Sequence, residues 1–501
     1  MRASAAIVAA FLSCAASLSG QRAEAVAAIT GAAIATPDGD GAAWSLAALA
    51  RLRSDVDAMF AAQRGPYERA HVGVLAVDSR SGAVLYARNP DDELQTASAL
   101  KLLAGSVAID ELGPAFRFHT SLAYDASRGA LVLRGGGDPF LGHADMRAAA
   151  AAVRAASDVT FDRIRVDDRR YERRPYPDGW EWDDFPYYYA PRLSALQFEE
   201  GIDTYAVVPG DAVGSPATLA LDGEAVDAAP ERCDRNVGTL VARVRTGATG
   251  SRPSVDVDVN GDGCTELAGS VPLGATGVTV DVTSADPALR AANALRVALG
   301  NAAATVVARD DEPPDLAARV LWSHDSESLD TLLGPRFWIP SDNLVAETLV
   351  REIGIAATLG RGSTANGITA EKRWLGRICV DVATVTLADG SGLSQYDRAT
   401  PAALVAILQH DWHGPHRALV LRSLPVGGAG RGSIPGIAGT QAAGRVFAKT
   451  GSFTHVRALA GYLAPRRHGA MTFAFLVDDW NGDDDALARW RAKILSRFVD
   501  D

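Results

Sequence analysis

Only four of the 49 basic side chains in this chain are lysines, at Lys101, Lys372, Lys449 and Lys493; the rest are arginines. Burial or a neighbouring cation can strip a lysine of its proton near neutral pH, which arginine resists, so a rare lysine is a candidate for proton chemistry. Ser98-Ala99-Leu100-Lys101 sets a hydroxyl and an amine three residues apart, on one face of a helix start. A neutral Lys101 can take the Ser98 proton, and a helix N-terminus favours the negative charge that develops beside it. By itself this spacing also describes a solvated helix pair. Two further patterns extend it: Ser341-Asp342-Asn343 before the apolar run 344–353, and Lys449-Thr450-Gly451 in a β-like run near the C-terminus. Two of the four lysines therefore fall inside three motifs.

These groups suit the cleavage of an acyl bond next to a free carboxylate. Ser98 attacks the carbonyl, Lys101 is the general base, and Ser341 relays a proton toward the leaving amine. Asn343 holds the substrate amide. Lys449 and Thr450 bind the terminal carboxylate through charge-assisted hydrogen bonds, and Gly451 lets the substrate approach the strand. The main-chain N–H groups of Ser98 and Ser452 form the expected oxyanion hole, where losing one donor costs about 3 to 4 kcal/mol in other serine hydrolases.

The elements that must position these groups come from both chain ends. An amphipathic helix is predicted over 45–63, a β-hairpin over 71–77 and 83–87, and then a helix capped by Thr96 or Ser98, with Leu100, Leu103, Val107 and Leu112 at helical spacing. Strands are predicted over 445–452, 456–463 and 471–477, and a helix over 486–498. The order implies one α/β (α+β) unit whose antiparallel sheet is built from both ends. Between them, 118–308 has many short β-like runs and few helical signals, mainly over 143–156 and 287–299. It reads as an inserted β-rich region of one or two subdomains, leaving 43–117 and 309–501 as the discontinuous catalytic domain. No internal repeat is present.

Composition bounds the rest. At 48% hydrophobic, 22% charged and a net charge of −12, the chain is an ordinary globular one and lacks the basic face that nucleic acid requires. Residues 1–25 read as an export signal: Arg2, an apolar stretch over 5–18, and Ala23-Glu24-Ala25 as a cleavage site. The stretch is too short to span a bilayer, and no transmembrane segment is expected in the mature chain. Of the cysteines beyond Cys14, Cys233 and Cys264 can pair in an oxidising compartment, with Cys379 a buried thiol. No metal is expected. The run 256–263 begins like a calcium loop but has Leu267 where a bidentate Glu is needed, and His410, His413 and His416 fit no common metal spacing. The last helix, with Trp490, Ile494 and Phe498, reads as packing on the sheet in preference to a membrane.

Ser-x-x-Lys, Ser-Asp-Asn and Lys-Thr-Gly in this chain order are the signature set of penicillin-binding proteins and class A β-lactamases. Segments 96–105, 131–139, 176–184, 187–196, 341–354, 389–394 and 445–463 narrow the resemblance to the D-alanyl-D-alanine carboxypeptidase/endopeptidase family of low-molecular-mass penicillin-binding proteins. It spans roughly 43–498 and departs at Ser452, where Thr is more usual, at Phe140 and at 197–200. The resemblance implies a penicillin-recognising transpeptidase-like domain with a five-stranded antiparallel sheet and two inserted domains, no cofactor, and a periplasmic, secreted or wall-associated serine DD-peptidase. Its partners would be peptidoglycan stem peptides, with β-lactams as inhibitors. The activity implied is release of terminal D-Ala, extending to cross-link cleavage. It also implies that the segment with Trp180, Asp183, Asp184 and Tyr188 receives the distal end of the stem peptide, one of the two aspartates pairing with a diamino acid's ammonium; the other reading is an exposed aromatic loop packing the inserted domain. Two rival functions stay open on the sequence: a β-lactamase or esterase on the same fold, separated by turnover of a chromogenic cephalosporin, and a non-catalytic wall-binding scaffold, separated by peptide binding without D-Ala release.

Overall fold

Ser45 starts the first helix by accepting a hydrogen bond from the Ala48 N–H at 3.1 Å, which satisfies one of the helix's orphan donors. In the computed structural model, residues 33–37, 41–226, 240–259, 264–300, 304–307 and 318–500 are described. The signal-like segment 1–25, Cys233 and residues 260–263 of the acidic loop lie outside the described residues. The chain forms two units: one holds Arg117–Tyr176 and Trp180–Ser326, the other the described residues up to Phe116, Pro177–Gly179, and those from Glu327 onward. Helix α1 (Leu46–Ala61) buries Leu52 and Val56, and the hairpin β1 (His71–Asp78) and β2 (Val84–Arg88) follows. A 3₁₀ turn, Ala97–Leu100, then leads into α2 (Lys101–Glu111).

The inserted unit begins with β3 (His119–Asp125), β4 (Ala130–Arg134), α3 (His143–Ala155) and β5 (Arg163–Asp167). It continues through β6 (Ile202–Val208), β7 (Thr218–Leu221), β8 (Glu224–Val226), β9 (Val241–Gly247), β10 (Ser254–Val259), β11 (Thr265–Pro272) and β12 (Val278–Thr283). Helix α4 (Pro287–Leu299), β13 (Thr305–Val307) and β14 (Arg319–Asp325) end it. Two separate apolar cores form. In the first, a mixed sheet in the order β13-β5-β4-β3-β14 packs Leu131, Leu133 and Ile164 against Ala149 of α3 and Ala291 and Leu295 of α4. In the second, sheets β10-β11-β9 and β12-β6-β7-β8 close over Val207, Leu219, Val244, Leu267 and Val282. The first core is thus α/β, because two alanine-rich helices lie on its sheet. Strand β14 pairs antiparallel with β3, which carries this unit past position 309 to Ser326.

The chain returns through a π-helical turn, Leu333–Trp338, into α5 (Asn343–Thr358) and α6 (Thr364–Arg377). The short strands β15 (Val385–Thr386) and β16 (Arg398–Ala399) pair and bracket a loop, and α7 (Pro401–His413) follows. Strands β17 (Val446–Phe453), β18 (Val456–Leu463) and β19 (Met471–Asp478) precede α8 (Asp484–Asp500). All five strands of the sheet β17-β18-β19-β1-β2 run antiparallel, so this sheet is assembled from both chain ends as the sequence implied. Helices α1 and α8 cover one face with Leu52, Val56, Trp490, Ile494 and Phe498 against Phe473 and Phe475. The apolar residues of the last helix are therefore spent on this core, and among the described residues no helix is long and apolar enough to cross a membrane. Cys264 is disulfide-bonded, with its partner outside the described residues. Cys379 is exposed, contrary to the buried thiol expected; it sits just past the end of α6 at φ 64°, in a left-handed turn that lifts it to the surface.

Candidate active site

Ser98 occupies the middle of the 3₁₀ turn that opens α2, immediately after Ala97 at φ 42°. A non-glycine residue held in the left-handed region costs on the order of 1 to 3 kcal/mol, so surrounding structure must hold this turn in place. Neither expected cap operates here: Thr96 precedes the turn without a side-chain capping bond, and its buried Oγ1 has no partner among the described residues, because the helix begins as a tight 3₁₀ coil. The turn is clamped from two sides. Gly392, at φ 73°, lies so close that a Cβ there would stand 2.0 Å from the Ala97 carbonyl oxygen. Gly451 of β17 lies so close that a Cβ would stand 2.4 Å from the Thr96 carbonyl oxygen and 3.0 Å from the Ser98 nitrogen. Only hydrogen fits at either place.

Lys101, fully buried one helical turn past Ser98, places its Nζ 2.9 Å from Ser98 Oγ, 2.5 Å from Asn343 Oδ1 and 2.6 Å from the Ser391 carbonyl oxygen. The last two partners can only accept, so a neutral amine spends both its N–H bonds on them and turns its lone pair to the Ser98 hydroxyl. Burial pushes the Lys101 ammonium down to about 8, while Asp389, Asp342, Glu347 and Asp397 pull it partly back. Burial and Asp389 hold the Asp397 carboxyl well above its usual range, so Asp397 pulls least when it is protonated. The indole N–H of buried Trp338 donates to the Lys101 carbonyl oxygen at 2.9 Å, tying the approach to the second motif onto the first.

The second motif divides its work by residue. Asp342 is the N-cap of α5, accepting from the Val345 N–H at 2.8 Å. Ser341 before it is held at φ 63°, and Asn343 after it is the first helical residue. This turn aims Ser341 at the third motif: Lys449 Nζ donates to Ser341 Oγ at 2.8 Å and to the Thr450 carbonyl oxygen at 3.0 Å. Lys449 is 1% exposed, and burial, reinforced by the Lys101 charge, holds it well below the usual lysine range. Two buried amines thus share one site and disfavour double protonation. A carboxylate arriving beside Lys449 would restore its charge. Thr450 is partly buried, and Ser452 is exposed at the end of β17.

Sequence reasoning passed over the support behind Lys101. Glu347, one turn beyond Asn343 on α5 and fully buried, accepts from the Gly390 and Ser391 N–H groups at 2.9 Å each through Oε1. Asp389 gathers the same loop, accepting from the Gly392 N–H at 2.6 Å, the Ser394 N–H at 2.7 Å and the Ser391 hydroxyl at 3.0 Å. A glutamate in the apolar run 344–353 was the available signal.

The remaining expected positions lie in the inserted unit, in one loop. Trp180 is buried beside Tyr176, with ring centroids 6.0 Å apart, and Asp183 and Tyr188 are exposed. Asp184 accepts from the Tyr189 hydroxyl at 3.0 Å, and burial raises its carboxyl above the ordinary value. His410, set aside as a metal ligand, pairs with Asp110 at 2.8 Å, and among the described residues no group of three or more His, Cys, Asp or Glu is arranged to hold a metal ion.

Comparison with known proteins agrees with this geometry. The chain is 33% identical over 478 residues to a D-alanyl-D-alanine carboxypeptidase of Actinomadura sp. (strain R39), covering 91% of this chain and 85% of that protein. Its fold matches penicillin binding protein 4 from Haemophilus influenzae with a TM-score of 0.72 at 19% identity, covering 89% of this chain and 99% of that one. The same protein complexed with a β-lactam matches with a TM-score of 0.66 at 18% identity, over 88% and 98%. The profile of the D-Ala-D-Ala carboxypeptidase 3 (S13) family matches residues 52–496, a span that takes in all three motifs. With its serine, its two buried lysines and that match along most of its length, the chain belongs to the D-Ala-D-Ala carboxypeptidase 3 (S13) family of serine peptidases.

Proposed function

We propose that this chain is an exported serine DD-carboxypeptidase that releases the terminal D-Ala of peptidoglycan stem peptides through an acyl-Ser98 intermediate. The observation that carries the reading is Lys101, a buried amine near half-protonation at about pH 8 whose two acceptor-only partners leave its lone pair for Ser98 Oγ. Ser98 Oγ attacks the carbonyl carbon of the penultimate residue and gives its proton to Lys101 Nζ. The oxyanion is met by the main-chain N–H groups of Ser98 and Ser452; the close approach of Gly451 to the Ser98 nitrogen supports this. The tetrahedral intermediate collapses when a proton reaches the leaving amine through Ser341, itself bonded to Lys449. Lys449 and Thr450 hold the departing residue's carboxylate, and Asn343 fixes both Lys101 and the substrate amide. Water then hydrolyses the acyl-serine.

The named activity of the Actinomadura relative and the β-lactam held by the Haemophilus protein support the same substrate end, a carboxylate next to a labile amide. β-Lactams would acylate Ser98 and keep their opened ring tethered in the site. Cross-links in which the leaving amine belongs to a diamino acid are a further substrate of the proposal, with Trp180, Asp183, Asp184 and Tyr188 receiving the distal stem by resemblance. The test is release of D-Ala from a defined pentapeptide, run beside a cross-linked dimer. Wild type is expected to release D-Ala and Ser98→Ala to release none; equal release by both would end the proposal.

A further inference from the structure

We propose that Glu347 is a positioning residue for the base, holding Lys101 Nζ on Ser98 through the backbone of Gly390 and Ser391. This rests on the reading of Lys101 as general base. Helix α5 reaches Lys101 twice from one face. Asn343 touches Nζ directly at 2.5 Å, and Glu347, four residues on, grips the loop whose Ser391 carbonyl oxygen meets Nζ at 2.6 Å. One carboxylate oxygen takes both the Gly390 and Ser391 N–H groups at 2.9 Å, so the loop cannot swing without breaking two buried bonds. The other oxygen faces Arg351 at 3.4 Å, on the same helix. The loop also carries Gly392 against the Ala97 carbonyl, so the grip that sets the base also seats the nucleophile's turn.

An ordinary buried ion pair would serve stability alone, and the layout goes beyond one. The oxygen turned away from Arg351 is spent on the Gly390 and Ser391 N–H groups, the two that precede the Ser391 carbonyl that receives Lys101, while Asp389 takes the Gly392 N–H on its other side. The charged groups around Lys101 are Asp342 at the start of α5, Glu347 within it, Asp389 and Asp397 in the loop, and Lys449 on β17. Removing the Glu347 charge makes Lys101 easier to deprotonate, whereas removing its acceptor oxygen frees the loop. The two effects are separable by substitution.

The experiment is penicillin acylation measured per titratable Ser98, resolving the acylation rate from the preceding binding constant over roughly pH 6 to pH 10. Wild type is compared with Glu347→Gln and Glu347→Ala, with thermal midpoints taken on the same samples. Glu347→Gln keeps an acceptor oxygen without the charge; it is expected to retain acylation within about threefold and to move the acid limb to lower pH. Glu347→Ala is expected to lose about 100-fold in acylation rate with binding changed by about twofold or less. Glu347→Ala acylating at the wild-type rate with only its melting point lowered, or Glu347→Gln losing as much as Glu347→Ala, overturns the proposal. Should Glu347→Ala not fold, an unmoved acid limb in Glu347→Gln overturns it. A wild type that takes no label contradicts the catalytic reading instead, so the two failures are distinguishable.

Discussion

Ser98, Lys101 and Lys449 were legible because their chemistry is local: a hydroxyl three residues from a scarce amine, and a second scarce amine before Thr-Gly. Their protonation was not, because it depends on burial and on carboxylates from α5 and the 389–397 loop, which spacing along the chain does not reveal. The sign follows directly. A lysine whose ammonium is destabilised by burial is a competent base above its depressed pKa and an inert cation below it. D-Ala release at subsaturating substrate is therefore expected to fall about tenfold per pH unit below about pH 8, where Lys101 protonates. A pH–rate profile of kcat/KM checks this, and a flat acid limb through that range would remove Lys101 as the base. Asp342 shows the opposite case. Nothing in its letter separates a catalytic carboxylate from a helix cap, and the bond to the Val345 N–H assigns it to the helix.

At the scale of elements, alternating apolar residues set out the strands of the main sheet well, since one face of each must be buried. The Ser98 turn escaped that reading because alanine seldom takes a positive φ; Ala97 does so only where tertiary contacts from Gly392 and Gly451 outweigh local preference. Those contacts make Gly451 a test of how β17 and the turn fit together. Gly451→Ala would set a methyl group against backbone atoms of Thr96, Ser98 and Ala99, and β17 cannot yield easily while paired to β18. The expected outcome is a folded protein destabilised by about 1 to 3 kcal/mol whose penicillin acylation falls on the order of 100-fold. Thermal melts and acylation kinetics check it. Wild-type acylation in this variant would mean that the close approach is not needed for chemistry.

Across the whole molecule, a sheet drawn from both ends was readable because strands and helices recur in the right order at each terminus. The inserted unit was less so: β14 reads like the β-rich texture before it but follows a stretch with little pattern, and α3 and α4 turn half of the insertion into an α/β layer. Cysteine state is a further whole-chain expectation. Alkylation of the folded protein without reductant should modify Cys379, with Cys264 reacting only after reduction; peptide mapping reads both, and labelling of Cys264 in the unreduced protein would contradict it. If the 180–188 loop selects substrates as the family resemblance implies, Asp184→Asn lowers kcat/KM about tenfold for peptides bearing a side-chain ammonium and leaves penicillin acylation unchanged. A parallel loss on peptides lacking that ammonium would contradict the role.

The central claim is that a hydroxyl, two buried amines and a carboxamide act as one acylation centre, and a covalent adduct tests it most directly. After incubation with penicillin, intact mass and peptide mapping are expected to place a single penicilloyl group on Ser98 of the wild type and none on Ser98→Ala. Equal labelling of the two proteins, or an adduct mapped to another residue, would contradict the account.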